Sequence, residues 1–345
     1  MSAPFLPRNT VVVGDVHASL KRLPRASVDC VITSPPYYQL RDYGVEGQIG
    51  LEDHVDAWVD ELRLAMRGLA RVLKPTASCW LNLGDSYARH ARYGAPAKSL
   101  LLGPERLLLA LVGDGWTIRN KIVWAKPNPM PTSVRDRLNT TWEPVYLLTR
   151  SKDYFFDLDA IRVPHRSLRH GPPKSAQPTA PTGRPSWAGP LAGSNSGLDH
   201  LKASGLVGHP LGANPGDVWS VATAGYRGQH FATFPTRLIE RPLLASCPER
   251  VCGTCGRPWE REPVSALGQL ATLGELRPSC ECAAGWRPGL VLDPFFGAGT
   301  VGLVAEKHNR DWLGIELNPR FARLAEERIA QAGMVEREGG KRRVA

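Results

Sequence analysis

Between residues 52 and 73 the apolar side chains Val55, Val59, Leu62, Met66, Leu69 and Leu73 recur at three- and four-residue steps. This spacing predicts a helix with one buried stripe, stopped by Pro75. Around it lie short apolar runs at 10–13, 28–32 and 78–83, which predict strands; the second ends against Pro35-Pro36. A further helix is predicted over 100–112, closed by Gly113 and Gly115. Strands are predicted over 117–124 and 144–148, and a helix over 234–244. The last legible stretch predicts a strand ending at Asp293, a glycine loop, a helix over 300–307, a strand over 312–316 and a helix over 318–330 opened by Asn318-Pro319. Alternation of this kind predicts an α/β fold.

From 165 to 228 Pro, Gly, Ser and Ala dominate and apolar periodicity fades, so this segment reads as an insertion of partly mobile chain. The pattern divides the chain into 1–164, the insertion 165–228, a return to the core at 229–246, a Cys-bearing insertion at 247–288, the βαβα stretch at 289–335 and a frayed basic tail at 336–345.

Composition narrows the function classes. The 345 residues are 42% hydrophobic and 22% charged, which excludes wholesale disorder. A formal net charge of +10 favours a polyanionic partner such as nucleic acid. No apolar run approaches the roughly 20 residues that cross a bilayer, and the first residues lack a signal-peptide pattern, so a cytoplasmic location without membrane contact is expected. The 7 cysteines are then reduced thiols, and where clustered they point to metal ligation.

Two segments carry chemistry. Asp293-Pro294-Phe295-Phe296-Gly297-Ala298-Gly299-Thr300 lies between strand and helix, where glycines permit tight turning and close approach to a ligand. Glu316 ends the next strand, a place from which a carboxylate can accept two hydrogen bonds from a ribose diol. The single G-x-G falls short of a dinucleotide fingerprint, and no Lys-Ser or Lys-Thr pair follows to cradle phosphate. A purely structural turn with a surface Glu is the other reading of these residues.

Together with Ser34-Pro35-Pro36-Tyr37, this loop resembles the paired motifs of amino-directed DNA methyltransferases, which methylate exocyclic nitrogens of cytosine or adenine. The resemblance covers roughly 10–163 and 214–330, and the chain order, catalytic segment before cofactor segment, resembles the beta arrangement of the family. It implies a Rossmann-like S-adenosylmethionine-dependent methyltransferase fold, with a mixed, mostly parallel sheet flanked by helices and an inserted target-recognition segment. It implies that Asp293, Pro294, Phe295, Gly297, Gly299 and Thr300 surround the methionine part of S-adenosyl-L-methionine, that Glu316 binds the ribose, and that Asp15 lies near the adenine. The segment 230–235, HFATFP, resembles the part of the family that packs against the cofactor.

The catalytic loop follows a buried-looking strand, where ligands of open α/β sheets bind. An exocyclic amino nitrogen is a poor nucleophile because its lone pair is conjugated into the ring. Accepting its protons localises that pair, and Ser34 Oγ and the Pro35 carbonyl are the candidate acceptors. Pro35 and Pro36 stiffen the loop, and Tyr37 offers a face on which a flipped base can stack. No Pro-Cys dipeptide occurs in the chain, which disfavours the covalent chemistry of C5-cytosine methylation. Ser at 34, where Asp or Asn is commoner among adenine N6 enzymes, resembles cytosine N4 enzymes. Adenine N6 is the alternative; an RNA or protein methyltransferase, and a catalytically silent DNA-binding protein, are more distant ones.

Cys252-x2-Cys255 and Cys280-x-Cys282 offer four thiolates, enough for a structural zinc. Cys30 and Cys79 lie in apolar runs and read as core residues. Residues 119–170 hold ten Lys or Arg against five Asp or Glu with aromatics interleaved, and Lys126, Arg135 and Arg137 are the candidate contacts to the backbone of double-stranded DNA. Double-stranded DNA is the expected partner, and a cognate restriction endonuclease is a candidate one.

Overall fold

The computed structural model describes residues 6–165, 209–223, 234–263 and 272–341, with side chains described as far as residue 333. The elements run β1 (Thr10–Val13), α1 (Val16–Arg22), β2 (Val28–Thr33), α2 (Val55–Val72), β3 (Leu73–Asn82), α3 (Gly103–Gly113), β4 (Thr117–Ala125) and β5 (Trp142–Thr149). They continue as β6 (Val218–Ser220), α4 (Thr236–Ser246), the short strands β7 (Val251–Cys252), β8 (Trp259–Arg261), β9 (Leu276–Pro278) and β10 (Trp286–Arg287), then β11 (Leu290–Asp293), α5 (Thr300–Lys307), β12 (Asp311–Glu316) and α6 (Pro319–Lys341).

Eight strands form one sheet in the order β1-β12-β11-β2-β3-β5-β4-β6. The first five are parallel, and β5 runs against both its neighbours. Alternation along each strand feeds two cores. In β2, Val31 packs with Leu20, Trp58, Leu62 and Leu69 of α1 and α2 on one face. Its neighbours Cys30 and Ile32 point the other way, toward Leu238 and Leu243 of α4 and Val301 and Val304 of α5. Both faces are therefore covered by helices, which explains the nearly continuous apolar writing of the central strands.

Connectivity locates the binding end. From β2 the chain crosses through α2 to β3 on one side, and from β11 it crosses through α5 to β12 on the other. The strand order therefore reverses between β2 and β11, which pair directly through Cys30–Val291 and Val31–Leu292. A crevice opens outside the carboxyl ends at such a point.

Several expectations are corrected. Helix α2 ends at Val72, and β3 begins at once and runs through exposed Pro75, so that proline sits in a strand and stops nothing. Helix α1, capped by Asp15, follows β1, a helix the pattern did not predict. Strand β6 lies inside the stretch read as insertion, yet it pairs with β4 at the sheet edge. Residues 166–208 and 224–233 and the tail beyond 341 lie outside the described residues.

The chain divides into two compact units, one of residues 1–157, 216–260 and 276–345, the other of 158–215 and 261–275. Within the smaller unit a bridge joins Val163 to Ala213, and Arg162 pairs with Asp159 at 2.6 Å. Among the described residues no helix is long and apolar enough to cross a membrane.

Candidate active site at the strand-order reversal

The loop after β11 turns because Gly297 and Gly299 adopt φ of 51° and 73°, in the left-handed region. The Phe296 amide donates to the Ile315 carbonyl at 2.9 Å, tying the loop to β12. The Phe296 ring stacks on Trp312 with centroids 5.2 Å apart. It lies so close over Gly314 that a Cβ there would come within 2.4 Å of the ring. Gly314 was not singled out in the sequence, although a glycine inside a strand signals close approach of this kind.

Glu316, at the end of β12, anchors the loop from the other side. Its Oε2 accepts from the Gly297 amide at 2.7 Å and its Oε1 from the Asn318 amide at 2.8 Å. Burial raises its pKa, and those backbone donors work against the rise. The Gly14 amide donates to the Glu316 carbonyl at 2.9 Å, which brings Asp15 alongside. Asp15 caps α1 by accepting from the Ala18 amide at 2.8 Å.

Asp293 is 2% exposed. Its Oδ1 accepts from the Thr33 hydroxyl at 2.7 Å and from the Phe295 amide at 3.1 Å. Burial nevertheless pushes its pKa up to about 7. The carboxyl-terminal ends of β2 and β11 are thereby joined, and the segments that follow them face one cavity.

That cavity is open to solvent at its mouth. Asp15, Ser34, Pro36, Asp293, Pro294, Phe295, Gly297, Thr300 and Glu316 all line it. Pro35, Tyr37 and Gly299 do not. At Gly299 a Cβ would meet Ala325 of α6 at 2.8 Å, so this glycine permits helix packing behind the loop. Phe234 lines the cavity, while 230–233 lie outside the described residues. The wall also includes Tyr43, Val45, Gly47, Gln48 and Ile49, from a loop that carries no motif or periodicity and was missed. Gln48 braces that loop, accepting from the Tyr43 amide at 2.7 Å and donating to the Arg41 carbonyl at 3.2 Å.

On the catalytic side, the Pro36 carbonyl accepts from Trp58 Nε1 at 3.0 Å, pinning the loop to α2. Tyr37 packs one side of its ring against Gly84, where a Cβ would lie 2.6 Å from it. Its hydroxyl donates to Glu143 Oε2 at 2.8 Å, with Asn82 Oδ1 at 3.2 Å. Burial first, then the facing Glu143 carboxylate, push the phenol well above its usual range.

Lys126, a candidate DNA contact, has its ammonium bonded to Glu143 Oε1 and 4.6 Å from the Trp124 ring centroid. Arg137 is exposed and stacks on Tyr87 at 3.8 Å, and Arg135 is exposed.

Away from the cavity, the Sγ atoms of Cys252, Cys255, Cys280 and Cys282 lie within 4.8 Å of one another. The backbone amides of Cys255 and Thr254 point at the Cys252 sulfur and lower its pKa to about 6. A cluster of this kind can hold a metal: four thiolates at ~2.3 Å from one zinc would stand about 3.8 Å apart. Cys30 and Cys79 are buried in the core.

Comparison with known proteins decides the family. The model of the N6 and N4 methyltransferases, described as DNA methylase, matches residues 28–327. The chain belongs to this DNA methylase family. Its relatives include the type II methyltransferase M.SmaI of Serratia marcescens, 32% identical over 340 residues that cover 92% of this chain and 90% of the relative. Another is M.XycI of Xanthomonas campestris pv. cyanopsidis, 34% identical over 347 residues covering 94% and 89%. Among solved structures, the PvuII DNA methyltransferase (cytosine-N4-specific) superposes with a TM-score of 0.55 at 19% identity over 93% of this chain and 90% of that one. A putative DNA modification methylase of Thermus thermophilus, complexed with S-adenosyl-L-methionine, gives 0.51 at 22% identity over 94% and 95%. The methylase is thus a DNA methyltransferase of the N4/N6 type on an α/β methyltransferase fold.

Proposed function

We propose that this methylase transfers a methyl group to N4 of a cytosine within a defined site of double-stranded DNA, and that the cavity between the two motif loops holds the donor. The observation that carries the reading is the Thr33–Asp293 hydrogen bond, because it sets Ser34 and the 293–300 loop around one cavity. The donor set fits S-adenosyl-L-methionine: a half-buried carboxylate, Glu316, with lone pairs beyond those given to Gly297 and Asn318, and apolar walls from Phe234, Phe295 and Ile315. Bound there, the donor supplies an electrophilic sulfonium methyl.

Glu316 accepts from the ribose diol and Asp15 stands toward the adenine. Asp293, Pro294, Phe295, Gly297 and Thr300 close around the methionine end, with Gly299 shaping the loop from behind. The target base leaves the stack at a cost of a few kcal/mol. Ser34 Oγ and the Pro35 carbonyl accept its amino protons, which turns the nitrogen lone pair toward the methyl. Pro35 and Pro36 keep that loop rigid, and Tyr37 offers a ring face on which the flipped base stacks. Direct transfer follows, and the amine proton is lost afterwards.

Ser34, where Asp or Asn would favour adenine N6, supports cytosine. The segment 165–228 serves target recognition, Arg135 and Arg137 contact the DNA backbone, and the four cysteines hold a structural zinc. The naming of the relatives as type II methyltransferases supports a cognate restriction endonuclease as partner.

Expression in a methylation-free bacterial host, modification-sensitive sequencing of its DNA and mass spectrometry of its nucleosides test the reading. N4-methylcytosine at one recurring site is expected. N6-methyladenine alone would reverse the base, and labelled methyl appearing only in RNA or protein would overturn the DNA substrate.

A further inference from the structure

Residues 126–141 join β4 to β5, and strand register places them at the reacting end of the sheet. Thr33, the last residue of β2, pairs with Leu81, and Asn82 beyond it pairs with Val145 near the start of β5. The loop is therefore a neighbour of the catalytic segment. Its root is tied there directly: Tyr37 donates to Glu143 at 2.8 Å, and the Lys126 amide closes the loop on the Thr141 carbonyl at 2.8 Å. Farther out, Val134, Asp136 and Arg137 line a second cleft together with Tyr38 and Gln39, the residues that follow Tyr37.

This loop is apolar where nothing covers it. Leu138 is 90% exposed and Met130 84%, the two most exposed large apolar side chains among the described residues. Their exposure to water is unfavourable, yet the backbone that presents them is held. Pro129 and Pro131 restrict the chain on both sides of Met130. The Asn139 side chain donates to the Met130 carbonyl at 3.2 Å, which ties the two limbs of the loop together next to Leu138. Arg137 stacks on Tyr87 at 3.8 Å and Lys98 pairs with Asp136 at 2.7 Å, so the limb bearing Leu138 leans on the segment after β3. Asn128, on the other limb, exchanges two hydrogen bonds with the backbone of Thr223.

Charge selects the partner. The loop carries Lys126, Arg135 and Arg137 against Asp136 alone, so a second copy of this chain would bring like charge to it. A duplex offers phosphates to the cations and, once a base has left the stack, an apolar gap between two base-pair faces. Methylation of an exocyclic amine in duplex DNA opens that gap, because the target base must be extruded. Leu and Met are among the side chains that proteins insert between base steps.

We propose that Leu138, supported by Met130, is a positioning residue that enters the stack where the target base leaves it and so holds that base out toward Ser34. This rests on the methyltransferase reading and adds to it the element that keeps the duplex open.

The test compares full-chain wild type and variants on two synthetic duplexes carrying the site mapped by sequencing, one fully paired and one with a mismatch at the target pair. The readouts are the single-turnover rate of labelled-methyl transfer, DNA affinity across a salt series, donor affinity by calorimetry, and melting temperature. In the double variant Leu138→Ala, Met130→Ala the rate on the paired duplex should fall at least about tenfold. On the mismatched duplex it should stay within about threefold of wild type, because a base that is already unpaired costs less to extrude. Leu138→Phe should keep the paired rate, since another apolar side chain fills the same gap. The salt slope and donor affinity should hold, because no phosphate contact is removed. Both side chains are exposed, so the melting temperature should hold as well.

A paired-duplex rate equal to wild type in the double variant would overturn the inference. So would an equal loss on both duplexes, or a loss that follows a change of oligomeric state in gel filtration. A wild-type enzyme that transfers no methyl to DNA, paired or mismatched, overturns the functional reading itself, which separates the two failures.

Discussion

The Thr33 hydroxyl donates to Asp293 Oδ1 at 2.7 Å, across 260 residues of chain. It is the direct polar link between the ends of β2 and β11, and it stands where the strand order reverses. Asp293 is buried with a pKa of about 7, above the ordinary carboxylate value, so the folded state holds its proton more tightly than the unfolded chain does. Its stabilising contribution is therefore complete below the unfolded value and is lost as pH rises through about 7. In Asp293→Asn this dependence should vanish, so that the variant gains stability relative to wild type between pH 4 and pH 7, as urea denaturation at a series of pH values would show. Thr33→Val should raise the Asp293 pKa further and cost about 1.5–3 kcal/mol at neutral pH. Equal stability of Thr33→Val and wild type would mean that the bond contributes nothing.

Glu316 is set to be the strongest single determinant of donor affinity. Both its oxygens already organise backbone amides, at Gly297 and Asn318. Glu316→Gln places an NH2 against one of those amides and removes an acceptor for the diol. Loss of one charge-assisted pair, about 1.5–3 kcal/mol, corresponds to at least a tenfold weaker Kd for S-adenosyl-L-methionine. Calorimetry on the DNA-free enzyme reads this without any turnover, and an unchanged Kd would remove Glu316 from the site.

Much of this frame was legible because period and chemistry coincide. The three- and four-residue steps of α2 and the apolar runs of β2 and β11 each have one solution, a stripe or strand against the core. The glycine loop and the Ser-Pro-Pro-Tyr loop then fall at strand ends. What stayed hidden depends on partners or on short elements. Lys126 reads as a free cation because charge says nothing about Glu143, 17 residues on, whose carboxylate holds it. The three residues of β6 are too few to show a period, and the loop of Tyr43 and Gln48 has none. Gly314 was visible as a glycine in a strand, but only the Phe296 ring above it gives that glycine a meaning.

Ser34 separates binding from chemistry. It lines the cavity and is one of the two candidate acceptors for the amino protons. Ser34→Ala should therefore leave donor affinity within twofold of wild type and lower kcat by about 10²–10³, the usual loss when one preorganised transition-state contact is removed. Single-turnover transfer of labelled methyl under saturating conditions measures the step, and a kcat within threefold of wild type would exclude Ser34 as an acceptor.

The cysteine cluster predicts a metal that stabilises the core from outside the cavity. Lys74 of β3 is buried and bonds Asp29 Oδ1 of β2 at 2.5 Å while donating to the Gly256 carbonyl at 3.0 Å, and Asp29 Oδ2 accepts from the Leu290 amide at 3.0 Å where β11 begins. The turn that follows Cys255 is thus fastened through β3 to β2 and β11, the two strands that carry the motif loops. Without a metal the four thiols lose the charge that gathers them, the turn loosens, and Lys74 loses one of its two partners in a buried place, a change worth about 1–3 kcal/mol. Elemental analysis of protein purified without chelator should give about one zinc per chain. Cys255→Ser, or prolonged chelation, should lower the melting temperature, and readdition of zinc should restore it only in the chelated wild type. Protein that is free of metal and melts identically with and without chelator would show that the four sulfurs gather without an ion.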